Sequence, residues 1–424
     1  MAIAHCVFSA SGQVGLLCIL FCDTKEVQWV DTDATFCSGT QHIIQEIIAK
    51  CLTSGAIPRS SGKNIRSEVY LILHKGEGSM NGALTRLLTR LIVSLPGSWL
   101  IRMSGRPQMT ASGGRVFDPA GQFIAVTAIK QGIFGLDETK TVPELREIWK
   151  KQMKPFEKPP LRGIRRQDRV VEVEGGSVTV AEFTHKSYEP GGPAVVYFHA
   201  GVYCAFGIWA CRSTCEYLAR ELNAKVFAVG YRLAPEHPYP TPLNDAEAAL
   251  EWVRTNAADL QIDPERISVA GDSAGGNLTA VVCLRRRDNG KWLPKAQMMV
   301  YPMIDYTLSH PSIEELGEGH VLTKTQLEWA RSNYLQGRPL EKDPYVSPLF
   351  ATDLSGLPPA VVITAGFDLM RDEGKAYADR LVEDGVKTLY KEFTTEGHGF
   401  MAADATKSVR TANAEIAAMF KQII

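Results

Sequence analysis

Ile267-Ser-Val-Ala-Gly271-Asp-Ser273-Ala-Gly275-Gly-Asn-Leu278 passes from an apolar run through a G-x-S-x-G pentapeptide into a helical pattern. The spacing predicts a strand, a sharp turn with Ser273 at its tip, and a helix beginning at Ala274. Such a turn lifts the serine hydroxyl clear of the backbone. Gly271 and Gly275 relieve crowding on either side of it, and the helix N-terminus favours negative charge developing nearby. By itself the pentapeptide recurs by chance in roughly one chain in five of this length, so its weight comes from what surrounds it.

Outward from that turn, and from about residue 163 onward, short apolar runs alternate with helix-length segments. This is the rhythm of βαβ units and a mostly parallel sheet, an α/β fold. A hairpin opens it, Arg169–Val173 and Ser177–Val180 across Gly175-Gly176. Buried strands are expected at Ala194–His199, Lys225–Tyr231, Ile267–Gly271, Met298–Pro302, Ala360–Gly366 and Thr388–Phe393, eight in all with the hairpin. Helices are expected at Trp209–Leu222, Leu243–Asn256, Ala274–Arg286, Asp372–Glu383 and Ala405–Phe420. In such a sheet the functional residues stand on loops at the carboxyl ends of strands.

A serine nucleophile needs a base to take its proton and a carboxylate to orient that base. Asp368 follows the strand Ala360–Gly366, and His398, in Glu396-Gly-His-Gly-Phe400, precedes the last helix, so nucleophile, acid and base follow the chain order Ser, Asp, His. Asp372 is the alternative acid, or a helix N-cap. The oxyanion of a tetrahedral intermediate needs preorganised N–H donors. Ala274 N–H is expected to be one, with others from His199-Ala200-Gly201-Val202 after an earlier strand.

Five blocks then resemble one family. Phe198-His-Ala-Gly-Val-Tyr203, Tyr231-Arg-Leu-Ala-Pro-Glu-His-Pro-Tyr-Pro240, Gly271-Asp-Ser-Ala-Gly-Gly-Asn277, Asp368-Leu-Met-Arg-Asp-Glu-Gly374 and Gly397-His-Gly-Phe400 are similar to those of the hormone-sensitive-lipase-like α/β-hydrolases, microbial carboxylesterases with an H-G-G-G oxyanion loop. The resemblance covers roughly residues 115–424. It implies an α/β-hydrolase fold with an eight-stranded, mostly parallel sheet, helices on both faces and a helical cap. The function it implies is a serine esterase acting on short- to medium-chain acyl esters. Ser273 would be nucleophile, His398 base and Asp368 the orienting acid, with Gly201, Val202 and Ala274 as oxyanion donors. His199, Ala200, Asp272, Gly271 and Gly275 shape the surroundings, as do Glu236 and His237. The cap would come from helices around Phe117–Lys151 and Val321–Leu335, the second within an insertion at about 305–340. The same triad could cleave an amide, carbamate or formyl group. A non-catalytic ligand-binding relative is the third reading, represented by the gibberellin receptors, which have lost the histidine that this chain keeps as His398.

One departure stands out. Where the family has H-G-G-G, this chain has His199-Ala-Gly-Val202, and Ala and Val resist φ > 0. A narrower space beside the scissile carbonyl is expected, with poorer turnover of esters of bulky alcohols.

Composition narrows the partners. The 424 residues hold 46 Lys+Arg against 47 Asp+Glu, a net charge of −1 with no like-charged run, which argues against a nucleic-acid partner. The nine Cys (6, 18, 22, 37, 51, 204, 211, 215, 283) include no Cys-x-x-Cys. They read as free thiols of a reducing compartment rather than disulfides or a zinc site at Cys18 and Cys22. No stretch has the length and polarity of a membrane span, so the expected setting is cytoplasmic, the partner a small-molecule ester, with no cofactor or metal required. Residues 1–110 read as an N-terminal extension of unassigned role, 111–160 as cap helices and linker, and 161–424 as the catalytic domain. Leu84, Leu87, Leu88, Leu91 and Ile92 align on one face of a helix opposite Arg86 and Arg90. No motif encodes oligomeric state, homo-oligomer or otherwise.

Overall fold

Strands buried on both faces need unbroken apolar runs, and Ala360-Val-Val-Ile-Thr-Ala-Gly-Phe367 is buried at every position. The computed structural model describes the strands Ala2–Phe8 and Val14–Leu20 and residues 82–424. It divides the chain into two compact units, Met1–Lys75 and Gly76–Ile424. In the first unit the two strands pair antiparallel, Ala2 opposite Leu20 and Phe8 opposite Val14. The side chains of Cys18 and Cys22, and of Leu84, Leu87 and Leu88, lie outside the described residues. The expected helix itself is present, at Gly82–Ile92 (α1).

In the second unit the sheet strands are Ile164–Val173 (β1), Gly176–His185 (β2), Gly192–Phe198 (β3), Lys225–Gly230 (β4), Ile262–Asp272 (β5), Gln297–Val300 (β6), Ala360–Phe367 (β7) and Thr388–Gly397 (β8). They form one eight-stranded sheet in the order β1-β2-β4-β3-β5-β6-β7-β8. Only the β1/β2 and β2/β4 pairs are antiparallel. The opening hairpin runs five residues further than its apolar core suggests, to Ile164 opposite His185. Polar Arg165–Asp168 continue the ladder because β1 is an edge strand with one face in water.

Helices cover both faces. Gly97–Ser104 (α2), Pro119–Lys130 (α3) and Val142–Met153 (α4) precede the sheet, and Ile208–Glu221 (α5), Thr241–Thr255 (α6), Ala274–Asp288 (α7), Pro311–Leu316 (α8), Lys324–Leu335 (α9), Arg371–Glu383 (α10) and Lys407–Lys421 (α11) follow its strands. Residue alternation sorts the core: Val196 and Phe198 face the layer containing α6, α7 and α10, while Val195 and Tyr197 face the layer containing α5 and α11. Each fully buried aliphatic or Phe side chain contributes roughly 1.5–3 kcal/mol. No helix among the described residues is long and apolar enough to cross a membrane.

Capping explains where the outer helices start. Thr141 with Glu144 and Thr323 with Gln326 form capping boxes at the N-termini of α4 and α9, and Asp118 caps α3. The segment before the sheet reaches its far edge. Phe117 stacks on Phe367 at 4.5 Å, Asp118 N–H donates to Thr395 O at 2.9 Å, and Arg115 pairs with Glu392 on β8.

Candidate active site

Ser273 sits between β5 and α7 at φ 57°, ψ −120°, a conformation that L-residues avoid and that costs of order 1–3 kcal/mol. Its surroundings hold it there. Its N–H donates to Val300 O at 2.9 Å, and its carbonyl accepts from Asn277 N at 3.0 Å and Met303 N at 3.3 Å. The two flanking glycines make the close approach possible. A Cβ on Gly271 would lie 2.2 Å from Gly275 O, and one on Gly275 would lie 1.9 Å from Phe198 O and 2.8 Å from His199 O. The start of α7 therefore abuts the end of β3 and the loop after it.

His398 Nε2 lies 3.1 Å from Ser273 Oγ, and its Nδ1 lies 2.8 Å from Asp368 Oδ2. A carboxylate only accepts, so Nδ1 carries the proton and Nε2 presents its lone pair to the serine hydroxyl. Asp368 is buried and its other oxygen accepts from Met370 N at 3.0 Å, which fixes the carboxylate. Asp372, the alternative acid, points elsewhere: it accepts from Ser312 N and pairs with Arg371. Asp272, beside the nucleophile, accepts from Tyr197 OH at 2.8 Å and Tyr301 OH at 3.4 Å. Burial raises its pKa against the lowering pull of the Tyr197 hydrogen bond.

The loop after β3 is strained. Gly201 has φ +124°, and its Cβ position is occupied by Ala205 O at 2.1 Å, so only glycine fits. Val202, Tyr203 and Phe206 take φ 48°, 63° and 69°. Ala200 is not among the positive-φ residues, contrary to the expectation that both substitutions would meet that strain; Val202 alone of the two does. His199 is buried, stacks on Tyr231 at 4.2 Å and sets its Nδ1 2.6 Å from Ala200 O, while Tyr231 OH donates to His199 O at 2.7 Å. Burial lowers its pKa to about 4, so the ring is neutral.

Two charged groups make contacts that the motifs do not specify. Arg146, on α4, donates to the carbonyls of Cys204 and Ala234 and makes a two-point pair with Glu236 at 2.8 and 2.7 Å. Glu373 is fully buried, accepts from Ile304 N at 2.7 Å, and is pushed well above the usual carboxylate range by burial. Cys204, Cys211, Cys215 and Cys283 are free and buried.

Comparison with known proteins places this geometry. Residues 195–402 match the model of a family with the alpha/beta hydrolase fold. The chain is 37% identical over 230 residues to the carboxylic ester hydrolase LipN of Mycobacterium tuberculosis, covering 52% of this chain and 61% of that protein. It is 35% identical over 269 residues to the carboxylesterase NlhH of the same species, covering 62% of this chain and 84% of that protein. The crystal structure of EstE1, a thermostable carboxylesterase cloned from a metagenomic library, superposes with a TM-score of 0.64 at 35% identity, covering 68% of this chain and 99% of that one. With its eight-stranded sheet, its five sequence blocks and these relatives, the chain belongs to the hormone-sensitive-lipase-like carboxylesterases of the α/β-hydrolase fold.

Proposed function

We propose that the protein is a serine carboxylesterase that hydrolyses short- to medium-chain acyl esters through an acyl-Ser273 intermediate. The observation that carries this reading is the hydrogen-bonded run from Ser273 Oγ through His398 to Asp368, at 3.1 and 2.8 Å, hung on a strained turn at the head of a 15-residue helix. Ser273 Oγ attacks the ester carbonyl carbon while its proton passes to His398 Nε2, and the oxyanion forms against the N–H groups of Gly201, Val202 and Ala274. Collapse breaks the bond to the alkoxy oxygen, which leaves as the alcohol with the proton from Nε2. Water then attacks the acyl carbon, giving its proton to Nε2, and Ser273 departs with that proton as the carboxylic acid is released. Asp368 keeps the imidazole in the required tautomer and stabilises the imidazolium in both steps. Neither a cofactor nor a metal enters the sequence. The helices at 111–160 and the 305–340 segment serve as the cap over the acyl group, and the working environment is the cytoplasm.

Hydrolysis of p-nitrophenyl esters from acetate to palmitate tests this, with wild type, Ser273→Ala and His398→Ala compared. A loss of 10³-fold or more in kcat for each variant is expected, with wild type fastest on the shorter chains. Wild-type activity that survives Ser273→Ala, or that peaks on palmitate, would reject the reading.

A further inference from the structure

The loop from Gly201 to Gly207 holds five of its seven residues at positive φ, three of them not glycine. Backbone of this kind persists only where its surroundings over-determine it. The turn after β4 supplies part of that support, because Ala234 N–H donates to Tyr203 O at 2.9 Å, and within the loop itself Cys204 and Ala205 N–H turn back onto Gly201 O. The remainder comes from the helices that precede and follow the core strands. On the apolar side, Ala205 and Phe206 pack with Phe134, Leu136, Leu145 and Trp149, and with Trp329 of α9. Phe134 meets Phe206 edge-on at 5.3 Å, and Trp149 meets Trp329 at 5.9 Å. On the polar side Tyr203 OH donates to Asn277 Oδ1 on α7, and among the described residues it is Arg146 that ties α4 to the loop. Arg146, one residue beyond Leu145 on α4, spreads its guanidinium over the carbonyls of Cys204 and Ala234 and is oriented by Glu236, whose carboxyl it holds below its ordinary pKa.

We propose that Arg146 is a positioning residue for the oxyanion loop: seating α4 on the core is what holds Gly201 and Val202 in donor geometry, so that the cap and the oxyanion hole form as one unit. This rests on the esterase reading for its catalytic consequence, though not for its structural one. The planar, five-donor guanidinium suits the task because two carbonyls and a carboxylate converge on it from different loops. Lysine, whose three donors sit on one nitrogen, cannot span all three. Arg146 touches neither the triad nor the site of the reacting atoms, so its removal should spare substrate binding and penalise the stage at which negative charge develops on the carbonyl oxygen.

The test compares wild type, Arg146→Ala and Arg146→Lys by kinetics on p-nitrophenyl acetate, by inhibition with an aryl trifluoromethyl ketone, whose serine adduct carries the oxyanion, and by hydrogen exchange of the peptide spanning 200–207. For Arg146→Ala, kcat should fall on the order of 10- to 100-fold with KM within about threefold. Affinity for the ketone should fall in the same proportion, and exchange at 200–207 should quicken while that at 267–280 is unchanged. Arg146→Lys should lie between, and millimolar guanidinium should restore part of the loss in Arg146→Ala. A folded Arg146→Ala enzyme with wild-type kcat, or with wild-type exchange at 200–207, overturns the proposal, as does a loss confined to KM. Should Arg146→Ala fail to fold, Arg146→Lys and Glu236→Gln carry the same readouts under the same criteria. A wild type that hydrolyses none of these esters would sink the functional reading instead, and hydrogen exchange alone would then decide whether Arg146 holds the loop.

Discussion

At φ 48°, Val202 places a branched Cβ where the left-handed backbone costs an L-residue roughly 1–2 kcal/mol. Replacing it with glycine removes that strain and adds about 0.5–1 kcal/mol of unfolded-state entropy cost. It also removes the half-buried Val202 side chain from the core it packs against, so Val202→Gly should shift stability by no more than about 1 kcal/mol in denaturant titration, and should raise the rate on tert-butyl acetate relative to ethyl acetate. An unchanged ratio would separate alcohol selectivity from this side chain. Ala200→Gly relieves no such strain and should shift stability little. His199 makes a prediction of a different kind. Its pKa of about 4 in the folded state lies below the ordinary imidazole value near 6.5, so between those pH values the unfolded chain binds the extra proton. Stability should therefore fall as pH drops through that window, by roughly 3 kcal/mol in total. Measured at pH 5, proton uptake on unfolding should be about one fewer in His199→Gln; equal uptake would assign the titration to other groups.

Among the elements, the meeting of α7 with β3 is the most exacting. Gly275→Ala would drive a Cβ to 1.9 Å from Phe198 O, so α7 must lift from the sheet and carry Ser273 with it. A loss of about 3 kcal/mol or more, together with loss of ester hydrolysis, is expected. Gly290→Ala, at φ +61° with no neighbour within 4 Å, should cost only about 1–2 kcal/mol and leave kcat unchanged. That difference follows from a principle visible in the sequence itself: a G-x-S-x-G after an apolar run announces both its turn and its tight crossing. The central strands were legible for the same reason, since burial on both faces demands uninterrupted apolar residues; Thr388–Phe393, expected to be buried, is instead the half-exposed edge strand β8, where Lys391 and Glu392 can stand. The polar extension of β1 was not, because an edge ladder can run through Arg165–Asp168 without any apolar signature. Nor was Arg146, whose partners stand 58 to 90 residues away and are fixed by how α4 lies against the core. Asp368 could be chosen over Asp372 only on resemblance, since both follow β7 and only the turn after that strand decides which faces His398.

For the whole molecule, the unit Gly76–Ile424 contains the complete eight-stranded sheet, the helices on both its faces and the Ser273–His398–Asp368 run. A chain beginning at Gly76 should therefore unfold in a cooperative transition of its own and hydrolyse p-nitrophenyl acetate with kcat/KM within about threefold of the full chain. A larger drop would give residues 1–75 a part in catalysis. The stacking of Phe117 on Phe367, the Asp118–Thr395 hydrogen bond and the Arg115–Glu392 pair have a bearing on how the chain is made. Some 250 residues separate the two rings, and at roughly 5–20 residues per second a ribosome needs about 10–50 s to deliver the second after the first. Through that interval Phe117 lacks the ring it stacks on, and β7 and β8, which bring Asp368 and reach His398, emerge almost last. Until those strands arrive Ser273 has neither His398 nor Asp368 beside it, and Phe117 waits for the ring that covers it.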